Sequence, residues 1–168
     1  MITYFAYGSN MSLRRMKSRV PSARMIGSAK LPGHRLVFHK ISTKDGSAKC
    51  NILPSPTDVV YGVLFEFNPG EKKDLDRYEG LGDGYEEKFV DLELRRGEHF
   101  RATTYYATNT DPLLKPFSWY KRHVLEGALG AALPDDYIRM IEQVEEIRDP
   151  DPERVKRELE IYSKSGSG

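Results

Sequence analysis

The sequence predicts an α+β fold on a largely antiparallel sheet that is curved or closed on itself. Three observations support this. Strand-like patterns come first along the chain and helical ones last. The two are not interleaved as strand–helix–strand units, so nothing demands a parallel sheet. The 168 residues, 39% of them apolar, suffice for one domain with a single core. That domain is assigned to residues 1–162, and the Ser/Gly-rich end, residues 163–168, is expected to be a flexible tail.

The first strand, Ile2 to Tyr7, is β-branched and aromatic; it runs into the turn tripeptide Gly8-Ser9-Asn10 and then a helical pattern from Ser12 to Arg19. Further strands are expected at Ala23 to Ala29, Arg35 to Lys40, Ala48 to Leu53, Val59 to Phe67, Glu87 to Leu94 and Phe100 to Ala107. Asn68-Pro69-Gly70-Glu71 signals a helix start, with Asn68 as N-cap, Pro69 in the first turn and Glu71 closing a capping box. That helix should end near Glu79, with Gly80 beyond it. Ser118 caps a helix that puts Tyr120, Val124, Leu125 and Ala128 on one face. Pro134 opens another carrying Tyr137, Ile138, Ile141 and Val144, and Asp151-Pro152 a third carrying Val155, Leu159 and Tyr162.

Twenty-six Lys and Arg against 25 Asp and Glu leave a formal charge of +1, so no net field favours nucleic acid or an anionic membrane. A small neutral or zwitterionic ligand fits better. The single cysteine, Cys50, can form no intrachain disulfide, and it reads as a small core residue rather than a nucleophile. The opening residues lack the basic region and long apolar run of a secretion signal, and no stretch approaches a membrane span. The expected location is therefore cytoplasmic. His34, His39, His99 and His123 show no metal-site spacing, and neither a phosphate-binding loop nor a dinucleotide fingerprint is present. No metal and no cofactor are expected. The basic cluster Arg14, Arg15, Lys17 and Arg19 reads as a solvated helix face.

Chemistry has two candidate places. The first is Tyr7-Gly8-Ser9-Asn10, where glycine lets successive N–H groups converge and the following helix points its positive end to the same spot. That suits a carboxylate; the plainer reading is a capped strand-to-helix turn. The second is Leu75-Asp76-Arg77-Tyr78-Glu79-Gly80. Glu79 lies four residues after Leu75 and shares its apolar side, whereas Asp76 and Arg77 lie away from it. A carboxylate there is partly desolvated and sits at the negative end of the helix dipole, and both effects favour taking up a proton, as a general base must. The plainer reading is a surface glutamate paired with Arg77 or with a neighbouring chain element.

Taken together, these elements resemble the γ-glutamylcyclotransferase family, whose members release 5-oxoproline from γ-glutamyl amino acids. The similarity runs from Tyr4 to about Ile147. The family's first strand ends in Tyr-Gly-Ser-Asn, matched by Tyr4-Phe5-Ala6-Tyr7-Gly8-Ser9-Asn10. Its glutamate followed by glycine at a helix end is matched by Glu79-Gly80, a later tyrosine by Tyr85, and a Ser-x-x-Tyr-Lys helix start resembles Ser118-Trp119-Tyr120-Lys121. Gly127-Ala128 and Leu133-Pro134 through Tyr137 look like the family's helical end. Glutathione-specific relatives look like Tyr-Gly-Ser-Leu and γ-glutamylamine relatives like Tyr-Gly-Thr-Leu, so Asn10 favours the general γ-glutamyl amino-acid branch. The chain departs from the animal enzymes in a shorter Ser42 to Lys49 loop and in its C-terminal helix.

The resemblance implies a mixed sheet curled into a barrel with helices around it. It implies Glu79 as general base, substrate contacts from Tyr4, Phe5, Ala6, Tyr7, Gly8, Ser9 and Asn10, a further contact at Tyr85, and Tyr120 closing the pocket. The expected partner is a small γ-glutamyl substrate, with no nucleic acid or membrane, and the sequence leaves room for a homodimer. Such a substrate carries its own nucleophile, the α-amine, so one carboxylate to take and return a proton suffices. Amides at Gly8 and Ser9 are placed to hold either the α-carboxylate or the developing oxyanion. Three alternatives stand beside this reading: a silent binding module on the same fold, removal of a γ-glutamyl protecting group in a biosynthetic pathway, and a hydrolase using Ser9.

Overall fold

In the computed structural model, which describes residues 1–163, five strands close into a barrel in the order β1-β3-β2-β4-β5. These are β1 (Ile2–Ala6), β2 (Arg24–Ile41), β3 (Ala48–Phe67), β4 (Tyr85–Leu94) and β5 (His99–Ala107). The pairings are antiparallel except where β1 meets β5 at Tyr4 and Thr103; that parallel contact closes the barrel and makes the sheet mixed. The helices are α1 (Leu13–Arg19), α2 (Lys72–Glu79), α3 (Ser118–Gly130), α4 (Asp135–Glu142) and α5 (Pro152–Ser163), with short 3-10 turns at Ser9–Met11 and Pro69–Glu71. Among the described residues no helix is long and apolar enough to cross a membrane.

Four expected strands merge into two. The Pro32-Gly33 and Pro54 to Asp58 segments, read as breaks, instead bend continuous strands: pairing passes from Pro32 opposite Val59 to His34 opposite Pro54, and residues 55–58 bulge outward. A bulge tolerates proline because it needs no ladder donor there.

Helix starts also differ in detail. Asn68 makes no side-chain cap. Its N–H donates to the Ser22 hydroxyl at 2.9 Å, and that hydroxyl donates to Glu71, so the box is completed across the fold by a residue 46 positions away. Phe117, not Ser118, caps α3. The Ser118 N–H is taken by the Ile147 carbonyl at 3.0 Å. Helix α4 stops at Glu142, leaving Val144 outside it. Ser163 belongs to α5, and residues 164–168 of the expected tail lie outside the described residues.

The core runs from Tyr4 to Ile141 and joins the barrel to α2, α3 and α4. Helix α3 lies directly on the Ser9–Met11 turn. A side chain at Gly127 would put its Cβ 2.3 Å from the Met11 Cβ, so glycine is what permits this approach. Helix α5 buries no residue fully; Val155 and Leu159 pack partly against the core, and polar contacts complete the docking. Arg15 pairs with Glu158 at 2.6 Å and also donates to His123 Nε2 at 3.0 Å. Nε2 also lies 3.2 Å from the Glu158 carboxylate. The Tyr162 hydroxyl donates its proton to Ser12 at 2.9 Å, so Nδ1, 2.6 Å from that hydroxyl, carries a proton and donates it, leaving Nε2 to accept from Arg15 in the neutral ring.

This network carries a pH dependence. Burial pushes His123 down to about 4, so the unfolded chain takes up a proton near pH 6.5 that the folded chain refuses. The stability contributed is complete above that value and is lost as pH falls toward 4, a change on the order of 3 kcal/mol. Urea unfolding at pH 6.5 and pH 4 is expected to show this loss in the native protein and a smaller one in His123→Gln. Equal slopes in both would place the titration elsewhere.

Candidate active site

Glu79 is the last residue of α2. Gly80 follows in the left-handed conformation, φ 76° and ψ 46°, and its N–H returns to the Asp76 carbonyl at 2.9 Å. The helix is held at its base by fully buried Leu75. Asp76 does not point away as expected: it accepts a 2.6 Å hydrogen bond from Tyr105 and pairs with Lys72. Arg77 reaches Asp74 at 3.4 Å, so Glu79 is not its partner.

Glu79 is half-buried and faces the first strand and turn. Its Oε1 accepts from the Tyr4 hydroxyl at 3.0 Å and from Asn10 Nδ2 at 2.6 Å. Asn10 Oδ1 accepts from Arg19 at 3.0 Å, and because arginine only donates, this fixes the amide with its NH₂ toward Glu79. Burial lowers Arg19 to about 10, which leaves it charged at neutral pH. The second oxygen, Oε2, accepts no hydrogen bond among the described residues. The result is a carboxylate anchored at one oxygen and open at the other.

Around it is a narrow pocket lined by Tyr4, Tyr7, Gly8, Ser9, Asn10, Tyr85 and Tyr120, together with Cys50 and Tyr105. Of the expected site residues, Phe5 and Ala6 lie outside this lining, fully buried in the core. Successive strand residues face opposite ways, so Tyr4 and Phe5 cannot share one pocket, and Ala6 has only a methyl group to offer. Cys50 ties two walls together through its backbone: its N–H donates to the Tyr120 hydroxyl at 2.9 Å and its carbonyl accepts from Tyr85 at 2.7 Å. Burial pushes its thiol up to about 12, so it stays protonated. Burial likewise drives the phenols of Tyr4, Tyr7, Tyr85 and Tyr120 well above their usual range, with the Glu79 charge adding to the effect. They remain neutral donors.

Gly8 has φ −114° and ψ −136°, so it is not a left-handed turn residue. Its requirement is space. A Cβ there would lie 3.0 Å from that of Cys50 and 3.2 Å from the Tyr120 hydroxyl. The amides that open the 3-10 turn have no acceptor within it, as at any helix start.

Outside the pocket, and sharing Ser9, Glu79, Tyr85 and Tyr120 with it, is a vestibule of about 420 Å³. Arg15 and Arg19 line it, which corrects the expectation of a solvated face. Four-residue spacing puts these two inward, while Arg14 and Lys17 stay exposed. Arg15 donates to Ser9 Oγ at 3.2 Å. Tyr105, Lys40 and Lys49 were not legible as pocket residues, because their places depend on strand pairings far apart in sequence. Among the described residues, no group of three or more His, Cys, Asp or Glu side chains is placed to hold a metal ion.

The γ-glutamylcyclotransferase of Bos taurus is 31% identical over 147 residues, covering 84% of this chain and 78% of that protein; the human enzyme matches to the same extent. The chain belongs to the γ-glutamylcyclotransferase family. The AIG2-like family profile matches residues 59–141, a span that includes Glu79, Tyr85 and Tyr120. A solved γ-glutamyl cyclotransferase superposes with a TM-score of 0.86 at 27% identity, covering 96% of this chain and 98% of that one. The mixed barrel with its surrounding helices is therefore the fold of γ-glutamylcyclotransferases, and the chain is an enzyme of this family.

Proposed function

We propose that this enzyme cleaves γ-glutamyl amino acids to 5-oxoproline and the free amino acid, with Glu79 moving the protons. The observation that carries the reading is the asymmetry of that carboxylate, fixed by Tyr4 and Asn10 at Oε1 and open at Oε2. The substrate's α-amine attacks its own γ-carbonyl to close a five-membered ring, a geometry whose effective molarity can be on the order of 10⁵ M or more. Oε2 takes a proton from the attacking amine and delivers one to the departing nitrogen. On this reading the amides at Gly8 and Ser9 hold the charge that builds on oxygen or the α-carboxylate. Tyr120, whose hydroxyl accepts from the Cys50 N–H, has its own proton to donate, whereas those of Tyr4, Tyr7 and Tyr85 are already given to protein acceptors. The α-carboxylate, the amine and the γ-carbonyl all belong to the glutamyl half, so removal of a γ-glutamyl protecting group would use the same chemistry.

A serine hydrolase fits less well. Ser9 Oγ is held by Arg15, and His123, pushed down to about 4, is hydrogen-bonded to Arg15 and Tyr162 rather than to Ser9. The direct test is incubation with γ-glutamyl amino acids, glutathione and γ-glutamylamines, with 5-oxoproline measured as product. Absence of 5-oxoproline from every one, alongside measurable binding, would favour a silent binding module. The chemistry needs no compartment other than the cytoplasm.

The close approach at Gly8 gives a further expected result. Gly8→Val pushes against Cys50 and Tyr120, which brace the pocket from β3 and α3. We expect KM for a γ-glutamyl amino acid to rise about tenfold or more, the scale of one lost pocket contact, with a smaller change in thermal unfolding. An unchanged KM in the folded variant would make the turn purely structural.

A further inference from the structure

Lys40 lies next to the last residue of β2, opposite Lys49 of β3, at the vestibule wall, and only 5% of it is exposed. Its stem passes Gly84, where an added Cβ would come within 3.0 Å of Lys40 Cε, so the absence of a side chain there makes its path. Its ammonium sits 4.6 Å from the centre of the Tyr85 ring. Among the described residues no carboxylate lies within ion-pair distance of it and no acceptor takes a hydrogen bond from it. The other inward cations of the vestibule are satisfied: Arg15 by Glu158, Arg19 by Asn10, Lys49 by Asp45 and Arg154 by Asp149. The ammonium opens to the vestibule but has no paired anion, and partial desolvation without a partner is a cost that a stable fold alone gives no reason to keep. Burial lowers its pKa; the charges of Glu79, Asp83 and Asp45 oppose this from beyond ion-pair distance, Glu79 being engaged by Tyr4 and Asn10 and Asp45 by Lys49.

Lys40 lines the vestibule but not the inner pocket. On the proposed reading, the γ-glutamyl half fills the inner pocket with its α-amine at Glu79 Oε2, and the departing half extends outward past Tyr85. We propose that Lys40 binds the carboxylate of the leaving amino acid and thereby selects γ-glutamyl amino acids over γ-glutamylamines that lack it. This rests on the cyclotransferase reading, and it assigns a specificity residue rather than a catalytic one. Tyr85 serves both halves: its hydroxyl braces Cys50 on the inner side and its ring carries the ammonium on the outer.

The test compares γ-glutamyl-alanine with γ-glutamyl-ethylamine, which differ by that carboxylate, in the native enzyme, Lys40→Met and Lys40→Arg. Methionine keeps an unbranched stem over the ring without charge; arginine keeps the charge. In Lys40→Met, kcat/KM for γ-glutamyl-alanine is expected to fall about 10–100-fold, chiefly through KM, as for loss of one charged hydrogen bond, while the ethylamine substrate changes little. Lys40→Arg should recover much of the preference. Equal losses on both substrates, or an unchanged ratio, would overturn the assignment. Calorimetric binding of the same two ligands to Glu79→Gln, with and without Lys40→Met, separates the two claims. No turnover but a Lys40-dependent binding preference would sink the cyclotransferase reading alone, whereas turnover without that preference would sink the Lys40 assignment alone.

Discussion

Glu79→Gln is expected to fold, to bind γ-glutamyl amino acids and to turn them over about 10²–10⁴-fold more slowly, the usual range for a lost general base. The local geometry makes this a clean substitution. A glutamine carbonyl at the Oε1 position still accepts from Tyr4 and from Asn10 Nδ2, both of which are donors there. That orientation places the new NH₂ where Oε2 stood, and an amide nitrogen cannot take the proton of the attacking amine. Binding measured by calorimetry should therefore survive while kcat collapses. Activity above a tenth of the native value would move the base elsewhere. Glu86 and Glu87, the neighbouring carboxylates in sequence, are poorly placed for the role: neither lines the pocket, and Glu87 is paired with Lys72.

What the sequence made legible here was local. The Tyr7 to Asn10 turn, the Gly80 helix stop and the alternation of the strands are each set by neighbours within a few positions, so pattern alone finds them. What it hid was made by distant partners. Asn10 and Tyr4 meet Glu79 across 69 and 75 residues. Of the two partners the plainer reading allowed Glu79, the local one, Arg77, is taken by Asp74, and other chain elements supply the contacts. Arg15 and Arg19 looked solvated because the groups that bury them, Glu158 and Asn10, are not their helix neighbours. The expected strands stop at Ala29 and Leu53, short of Pro32 and Pro54; the irregular pairing that carries the strands on through these prolines depends on how two strands meet, which no single stretch encodes. Even the capping box at Asn68 needed Ser22 from another part of the chain.

The nucleophile supplies the second large effect. If the substrate's own α-amine attacks, γ-glutamyl-alanine acetylated on that amine should not be cleaved at all, because the acylated nitrogen has no basic lone pair with which to close the ring. A hydrolase that directs water at the γ-carbonyl would still cleave it. The same reasoning fixes the fate of oxygen. Ring closure forms a C–N bond and breaks a C–N bond, and the γ-carbonyl oxygen stays on the product throughout, so 5-oxoproline formed in ¹⁸O-labelled water should carry no label. Water attack would instead give glutamate with labelled oxygen in its side-chain carboxylate. Mass spectrometry of the primary product distinguishes the two, and the open oxygen of Glu79 is compatible with proton transfer from either nucleophile. Labelled glutamate, or cleavage of the acetylated compound, would leave Glu79 as the base but make water its target.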